Sequence, residues 1–412
     1  MSRRAVEFTC AIIIVGLLAG VAGAATTLLL HAIEHLTYHY SFGTLLSGVG
    51  DSSPVRRALG PMIGGALAGF GWWMLRRRTT VPPLAETIKA RRPIPRVSLS
   101  IDALLQVLLV GAGASLGREG APRQLSAALG DFGTTRLALT ARDREILLGC
   151  AAGAGLGAVY SVPLGGALFA AQIVLGSWHP RVVGTALITS SLAVAVAAPV
   201  THLEHPLDWP DAETSYLFVF LAMAIAPLAG AIGLAFNRVM TVARPKVQYH
   251  SWILIPAIGA AGLLIGICSI WFPELPGNGR SILTVAVDSG LTLGTACMLL
   301  LLKPLLTAVF LRAGAVGGLL TPALATGAAA GSVVALTLNQ LAGTHIHVSA
   351  LALTCAAGVL AITQRSPLFA ALFVWELAHP PYWFLIVFAT AAFAAHGLRV
   401  MRERRQALLP AH

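Results

Sequence analysis

Apolar segments follow one another almost from end to end of this chain. They fall at residues 8–30, 60–75, 103–116, 146–159, 163–176, 182–200, 215–236, 252–272, 291–311, 319–340, 348–362, 367–378 and 383–397. Several are shorter than the ~20 residues that a straight helical span requires. Hydrocarbon offers no water to backbone N–H and C=O groups. Short segments interrupted by Gly and Pro therefore persist only where protein buries them or where they line a site. The pattern predicts an all-α polytopic membrane protein with many tilted, broken and re-entrant helices. Composition agrees: 56% of the 412 residues are hydrophobic and 11% are charged, with a mean hydropathy of +0.78. No soluble domain of this size has such a balance. The 42 glycines suit close helix packing.

The net charge of +11 is not distributed like a nucleic-acid footprint, and no nucleic-acid partner is expected. Arginines gather at the N-terminus (Arg3, Arg4), from Arg76-Arg77-Arg78 to Arg96, and near the C-terminus (Arg399, Arg402, Arg404, Arg405). Basic clusters beside apolar spans set topology, so both termini and the 76–98 loop are expected to be cytoplasmic, in a multi-pass protein of the cell inner membrane. The N-terminal run reaches Leu30, too long for a signal-peptide core, and is expected to be the first transmembrane helix. The five cysteines sit in apolar segments without CxxC spacing, so neither a metal site nor a disulfide framework is expected.

One hexapeptide, Gly117-Arg118-Glu119-Gly120-Ala121-Pro122, carries the sharpest chemical signal. It sets an ionisable Glu between two glycines at the expected start of an apolar helix. A carboxylate in hydrocarbon is expensive and marks a functional site by default. A helix N-terminus supplies free N–H groups and the positive end of a dipole. The same spot can hold an inorganic anion or the protein's own Glu119, with protonation choosing between them. Backbone N–H groups at Arg118, Glu119 and Gly120 are thus candidate anion ligands.

The chain also contains an internal copy of itself. Gly111–Gly130 is similar to Arg312–Gly331, with Gly117 matching Gly317 and Pro122 matching Pro322. Further on, the block starting at Cys150 is similar to the block starting at Cys355. There Pro163 matches Pro367, Phe169 matches Phe373 and Gln172 matches Glu376. Two membrane halves, 1–205 and 206–412, would meet in the polar stretch Thr201–Thr214. Such repeats are a transporter signature, with the site at their interface.

GREGAP at 117–122, GGLLTP at 317–322 and SVPLGGALF at 161–169 resemble the CLC family of chloride channels and proton–chloride antiporters, over residues of about 5 to 400. The resemblance implies an inverted-repeat fold and a homodimer with one pore per subunit. It implies bound chloride as the only small ligand, with no cofactor, and protons as a second transported species in antiporter members. Glu119 matches the gating glutamate. Leu319 and Leu320 match the GxFxP segment whose backbone N–H groups hold the central ion, Leu320 replacing the usual Phe. Amide ligands avoid a full charge that would hold chloride too tightly to release it. C-terminal regulatory CBS domains are not expected.

Three departures from the family pattern bear on mechanism. The serine motif is degenerate: Arg78-Thr79-Thr80-Val81-Pro82 stands in its place, leaving Thr79 as either a side-chain anion ligand or a plain loop residue. The pore tyrosine falls one residue off register, so Tyr382 is either a pore ligand or an interfacial aromatic. The internal proton-path glutamate is replaced by Ile173, which carries no proton. The whole pattern most resembles the bacterial subgroup described as voltage-gated ClC-type chloride channels, for which an electrical-shunt role is implied. Passive, voltage- or pH-gated chloride transport is the leading expectation. Proton-coupled antiport, or another anion such as nitrate, fluoride or an organic acid, is the alternative. Fluoride-selective relatives carry an Asn-bearing motif that this chain lacks. An intramembrane hydrolase would need a Ser–His, HExxH or paired-Asp constellation, and the sequence has none. Elsewhere, Lys303 is expected to snorkel or balance a carboxylate, Glu376 to be structural, and Asp288, Glu34 and the histidines of 31–39 to be solvated at segment ends.

Overall fold

The computed structural model describes residues 3–201, 207, 209 and 216–408. Among them are seventeen α-helices in chain order. They are α1 (Arg3–Tyr38), α2 (Leu45–Asp51), α3 (Pro54–Arg78), α4 (Leu84–Lys89), α5 (Arg96–Gly111), α6 (Gly120–Gly133), α7 (Ala141–Tyr160), α8 (Pro163–Leu168), α9 (Pro180–Thr201) and α10 (Leu217–Ala243). Then come α11 (Leu254–Cys268), α12 (Arg280–Val287), α13 (Leu293–Arg312), α14 (Leu320–Ala342), α15 (Val348–Gln364), α16 (Pro367–Ala378) and α17 (Trp383–Leu408). A single π-helical stretch, Phe169–Leu175, continues α8. Seven helices are long and apolar enough to cross a membrane, and α11, α15 and α16 are apolar but shorter. The chain is a polytopic helical membrane protein. The first apolar run becomes one 36-residue helix. At 1.5 Å per residue it is about 54 Å long, so it tilts or projects beyond a ~30 Å hydrocarbon layer.

Two compact units divide the chain. The first takes residues 3–201 with Pro245–Asn278 and Phe310–Gly318, and the second takes 216–244, Gly279–Val309 and 319–408. These are not the two sequence halves, because α11 comes from the second half yet belongs to the first unit. The reason is an antiparallel glycine seam with α3. A Cβ added to Gly65 or Gly69 of α3 would lie 2.6 Å from the Ile258 or Leu254 carbonyl oxygen. One added to Gly262 or Gly266 of α11 would strike the Pro61 or Arg57 carbonyl. Small residues at i, i+4 on both helices let the backbones touch. The stretch Thr201–Thr214, expected to separate the halves, lies largely outside the described residues.

Each unit is organised on one helix buried all round, as a core helix must be when its apolar residues cover every face. In the first unit it is α7, with every residue from Glu145 to Tyr160 buried. In the second it is α15, buried from Val348 to Ile362. These helices are the two copies of the Cys150 and Cys355 blocks, and they end alike. Ser161 (φ 56°) and Arg365 (φ 55°) each close their helix in the left-handed conformation. One extended residue follows, Val162 or Ser366, and then a Pro opens α8 or α16. Proline belongs at a helix start, where its missing N–H is no loss. The internal repeat is thus a repeat of backbone as well as of sequence.

Two polar expectations need correction. Glu34 is 7% exposed rather than solvated, with the Tyr40 hydroxyl 3.5 Å from its Oε2, because α1 continues past it to Tyr38. Lys303 is wholly buried in the second unit and does not snorkel. Its Cε lies beside Gly279, the N-cap of α12, where the first turns of α14 also pack.

Candidate functional site

The hexapeptide does start a helix. Glu119 is the N-cap of α6 (φ −70°, ψ −23°), and no side chain caps that end. The first N–H groups of α6 are therefore not taken by a capping side chain. Pro122 occupies the third helical position, where a missing N–H is tolerated. The second copy behaves identically. Leu319 is the N-cap of α14, again without a side-chain cap, and Pro322 is third in the helix. Leu320 is 4% exposed, so its side chain is buried while its N–H belongs to the open first turn.

The Glu119 carboxylate does not fold back to cap its own helix. It is 1% exposed and lies over Gly117 and Gly318, where a Cβ on either glycine would run into its oxygens. Those glycines form an antiparallel bridge: Gly117 N–H donates to the Gly318 carbonyl at 2.7 Å, and Gly318 N–H donates back at 2.8 Å. Gly318 is thereby tied to the residue two before Glu119. Tyr160, at the end of α7, donates its hydroxyl to Glu119 Oε1 at 3.2 Å. Arg118, 5% exposed, donates to the Val159 carbonyl at 3.2 Å and lies 5.0 Å from the Tyr160 ring. The arginine of the motif thus braces the end of α7 that presents Tyr160.

A cavity of about 260 Å³ opens within the first unit, on the other side of this helix start. Gly117 and Gly120 form part of its wall, as do Arg123, Gln124, Phe169 and Ile173. Ile173 is half-buried in the π-helical stretch and lines this cavity with a hydrocarbon side chain. Behind the wall, Asp102 is 3% exposed. It accepts from Trp72 Nε1 at 2.8 Å, Gln106 Nε2 at 2.8 Å and Gln124 Nε2 at 2.9 Å. One buried carboxylate thus ties α3, α5 and α6 together. Buried charge persists only when hydrogen bonds engage it.

Tyr160, Arg123 and the Asp102 cluster were not anticipated. Asp102 carries the signal used for Glu119, an acid in an apolar run. Arg123 and Gln124 lie one helical turn beyond Glu119. Tyr160 lacks any local signal, since only the packing of α7 on α6 brings it to Glu119.

Thr79 and Tyr382, the two side chains expected as ligands or as bystanders, lie elsewhere. Thr79 is the C-cap of α3 and half-buried. Its Oγ1 is 3.5 Å from the Thr80 carbonyl, and Arg76-Arg77-Arg78 form the last turn of the helix before it. Pro83, Leu84 and Ala85, which follow, reach the cavity wall, and Thr79 does not. Tyr382 is 83% exposed, its ring 5.6 Å from that of Trp375. That is the setting of the interfacial aromatic rather than of a hydroxyl enclosed in a pore.

The sequence profile described as voltage gated chloride channel matches residues 64–399. ClcB, a voltage-gated ClC-type chloride channel of Escherichia coli O17:K52:H18 (strain UMN026 / ExPEC), is 27% identical over 378 residues, covering 88% of this chain and 89% of its own. Among solved structures, a slow cyanobacterial Cl⁻/H⁺ antiporter superposes with a TM-score of 0.79 at 21% identity, covering 98% of both chains. A CLC-type fluoride/proton antiporter gives 0.66 at 20% identity, covering 95% of this chain and 96% of its own. A eukaryotic CLC transporter gives 0.75 at 16% identity, covering 95% of this chain and 72% of its own.

Proposed function

The chain belongs to the voltage gated chloride channel (CLC) family, and on that premise we propose that it carries chloride or a similarly small inorganic anion across the cell membrane with Glu119 as its gate. The observation that carries this reading is the buried Glu119 carboxylate, lying over two bare glycine Cα atoms at an uncapped helix start. Charged, the side chain fills a place suited to an anion. Protonated, it gives up its attraction to the helix dipole and to the Tyr160 hydroxyl, and a mobile anion takes its place. The N–H groups at the starts of α6 (Arg118, Glu119, Gly120) and α14 (Leu319, Leu320) are the ligands in this reading. None is a full charge, so binding stays weak enough for release.

Uncoupled conduction is favoured over antiport by Ile173, which presents no titratable group to the internal cavity. A protein of this kind acts as an electrical shunt, dissipating charge left by other electrogenic traffic, and its gating responds to voltage and pH through Glu119. The arginine distribution supports an inner-membrane location with both termini cytoplasmic. A homodimer with a separate pathway in each subunit accompanies the family assignment. Membership in a transport family, rather than in one of enzymes, is consistent with the site chemistry.

The test is chloride efflux from liposomes containing the purified protein, with valinomycin present and external pH recorded. We expect chloride efflux without stoichiometric proton uptake. Glu119→Gln is expected to retain flux and abolish its pH dependence. If pH dependence survives that substitution, Glu119 is not the gate. Proton uptake that tracks chloride efflux would establish the antiport reading instead, and competition by nitrate or fluoride would define the preferred anion.

A further inference from the structure

We propose that the cavity beside the start of α6 is a second anion-binding site, in which the guanidinium of Arg123 holds a small inorganic anion. The choice of chloride as its occupant rests on the anion-transport reading. The site itself rests on the charge of its wall. Arg123 is the one residue with a formal charge among those that form that wall, and no carboxylate stands there. Ile173 occupies the position from which an acid would have neutralised it.

Arg123 is already oriented. Its Nε donates to the Glu119 carbonyl at 2.8 Å, and its guanidinium lies 5.1 Å from the Phe169 ring. A carbonyl and a ring face steady the group, and the Glu119 carboxylate attracts it through space. Arginine does not relieve burial by losing its proton. Only its Nε is engaged by the Glu119 carbonyl bond, so further guanidinium donors stand at the cavity wall for an anion brought to them. The space admits one: at roughly 30 Å³ per water, 260 Å³ accommodates a small anion with part of its hydration shell. Asp102, the nearby buried acid, is one layer back and engaged by Trp72, Gln106 and Gln124. The amides of Gln106 and Gln124 stand between its charge and the cavity.

The site also has a bearing on the gate. Arg123 Nε is bonded to the backbone of Glu119 itself, so an anion on the guanidinium sits one side chain from the gating residue. The cavity is then a station that concentrates anions next to Glu119 and repels protons, the reverse of what an acid at position 173 would do.

Crystals of the full-length protein grown in bromide in place of chloride test this by anomalous scattering. We expect a bromide peak within hydrogen-bonding distance of the Arg123 guanidinium. It should be lost in Arg123→Met, retained in Arg123→Lys, and accompanied in all three proteins by unchanged positions of α6. In liposomes Arg123→Met should raise the half-saturating chloride concentration about tenfold, the loss of one charge-assisted hydrogen-bonding partner, whereas Arg123→Lys should restore most of it. A wild-type cavity without bromide, or a peak that persists in Arg123→Met, overturns the site. Wild-type chloride efflux is measured independently, so failure of this site is distinguishable from failure of the transport reading.

Discussion

At Gly117 and Gly318 the absence of a single carbon decides where a charge resides. Glycine at these positions is a matter of room rather than of backbone angle, because neither φ is positive and the obstructing atoms are the Glu119 carboxylate oxygens. Gly318→Ala is the most economical perturbation. Its methyl group would occupy the carboxylate's place, and the side chain would have to leave. We expect Gly318→Ala to behave as a gate held open. Chloride flux at neutral pH should rise toward that of Glu119→Gln, and its pH dependence should be reduced by at least about fivefold, the equivalent of ~1 kcal/mol. The same liposome assay reads it. A variant with normal pH dependence would mean that the carboxylate has another resting place.

At the scale of elements, the helix starts of α6 and α14 were legible in the sequence, and so were the Pro-opened helices α8 and α16. In each case the signal was local: glycine, proline and an abrupt return to apolar residues. The matching left-handed residues Ser161 and Arg365 show why repeat alignment worked, since each copy preserves a helix, a reversal and a proline. What was not legible was pairing between distant elements. Nothing in GGALAG or GLLIGIC announces that the glycines of α3 and α11 lie against each other's backbone carbonyls, and Tyr160 acquires its role only through the packing of α7. The degenerate serine motif looked like a loop or a ligand, yet its arginine completes a helix whose Arg76 donates to the Gly314 carbonyl at 2.9 Å. The seam gives a direct stability test. Gly262→Leu pushes a branched side chain into the Pro61 carbonyl and should cost about 3 kcal/mol or more by overpacking. Thermal unfolding followed by size-exclusion chromatography in detergent should show a marked fall in stability, while Gly290→Leu, at an exposed position after α12, should not.

For the whole molecule, composition alone was enough to establish a polytopic helical membrane protein, and GREGAP with its partner was enough to indicate the family. Neither specified the ion-to-proton relationship, which the proposed reading places with the side chains that face one cavity. Ile173→Glu addresses this directly. A new carboxylate there would meet Arg123 across the cavity and form an ion pair. We expect severalfold slower chloride efflux and no proton uptake from this single variant. Proton uptake appearing at once would show that the arginine does not control the space.

The α3–α11 seam also sets an order of events in time. From the end of α3 at Arg78 to the end of α11 at Cys268 the ribosome must add about 190 residues, which takes on the order of 10–40 s at ordinary elongation rates. Throughout that interval the glycine face of α3 is in the bilayer without its partner. Small residues make such a wait tolerable, because a face of Gly65 and Gly69 offers little apolar area to a wrong helix and commits only to a surface that approaches closely enough. Biogenesis of the first unit is accordingly not finished when its own half of the chain has been made. It is completed by a helix delivered late from the other half.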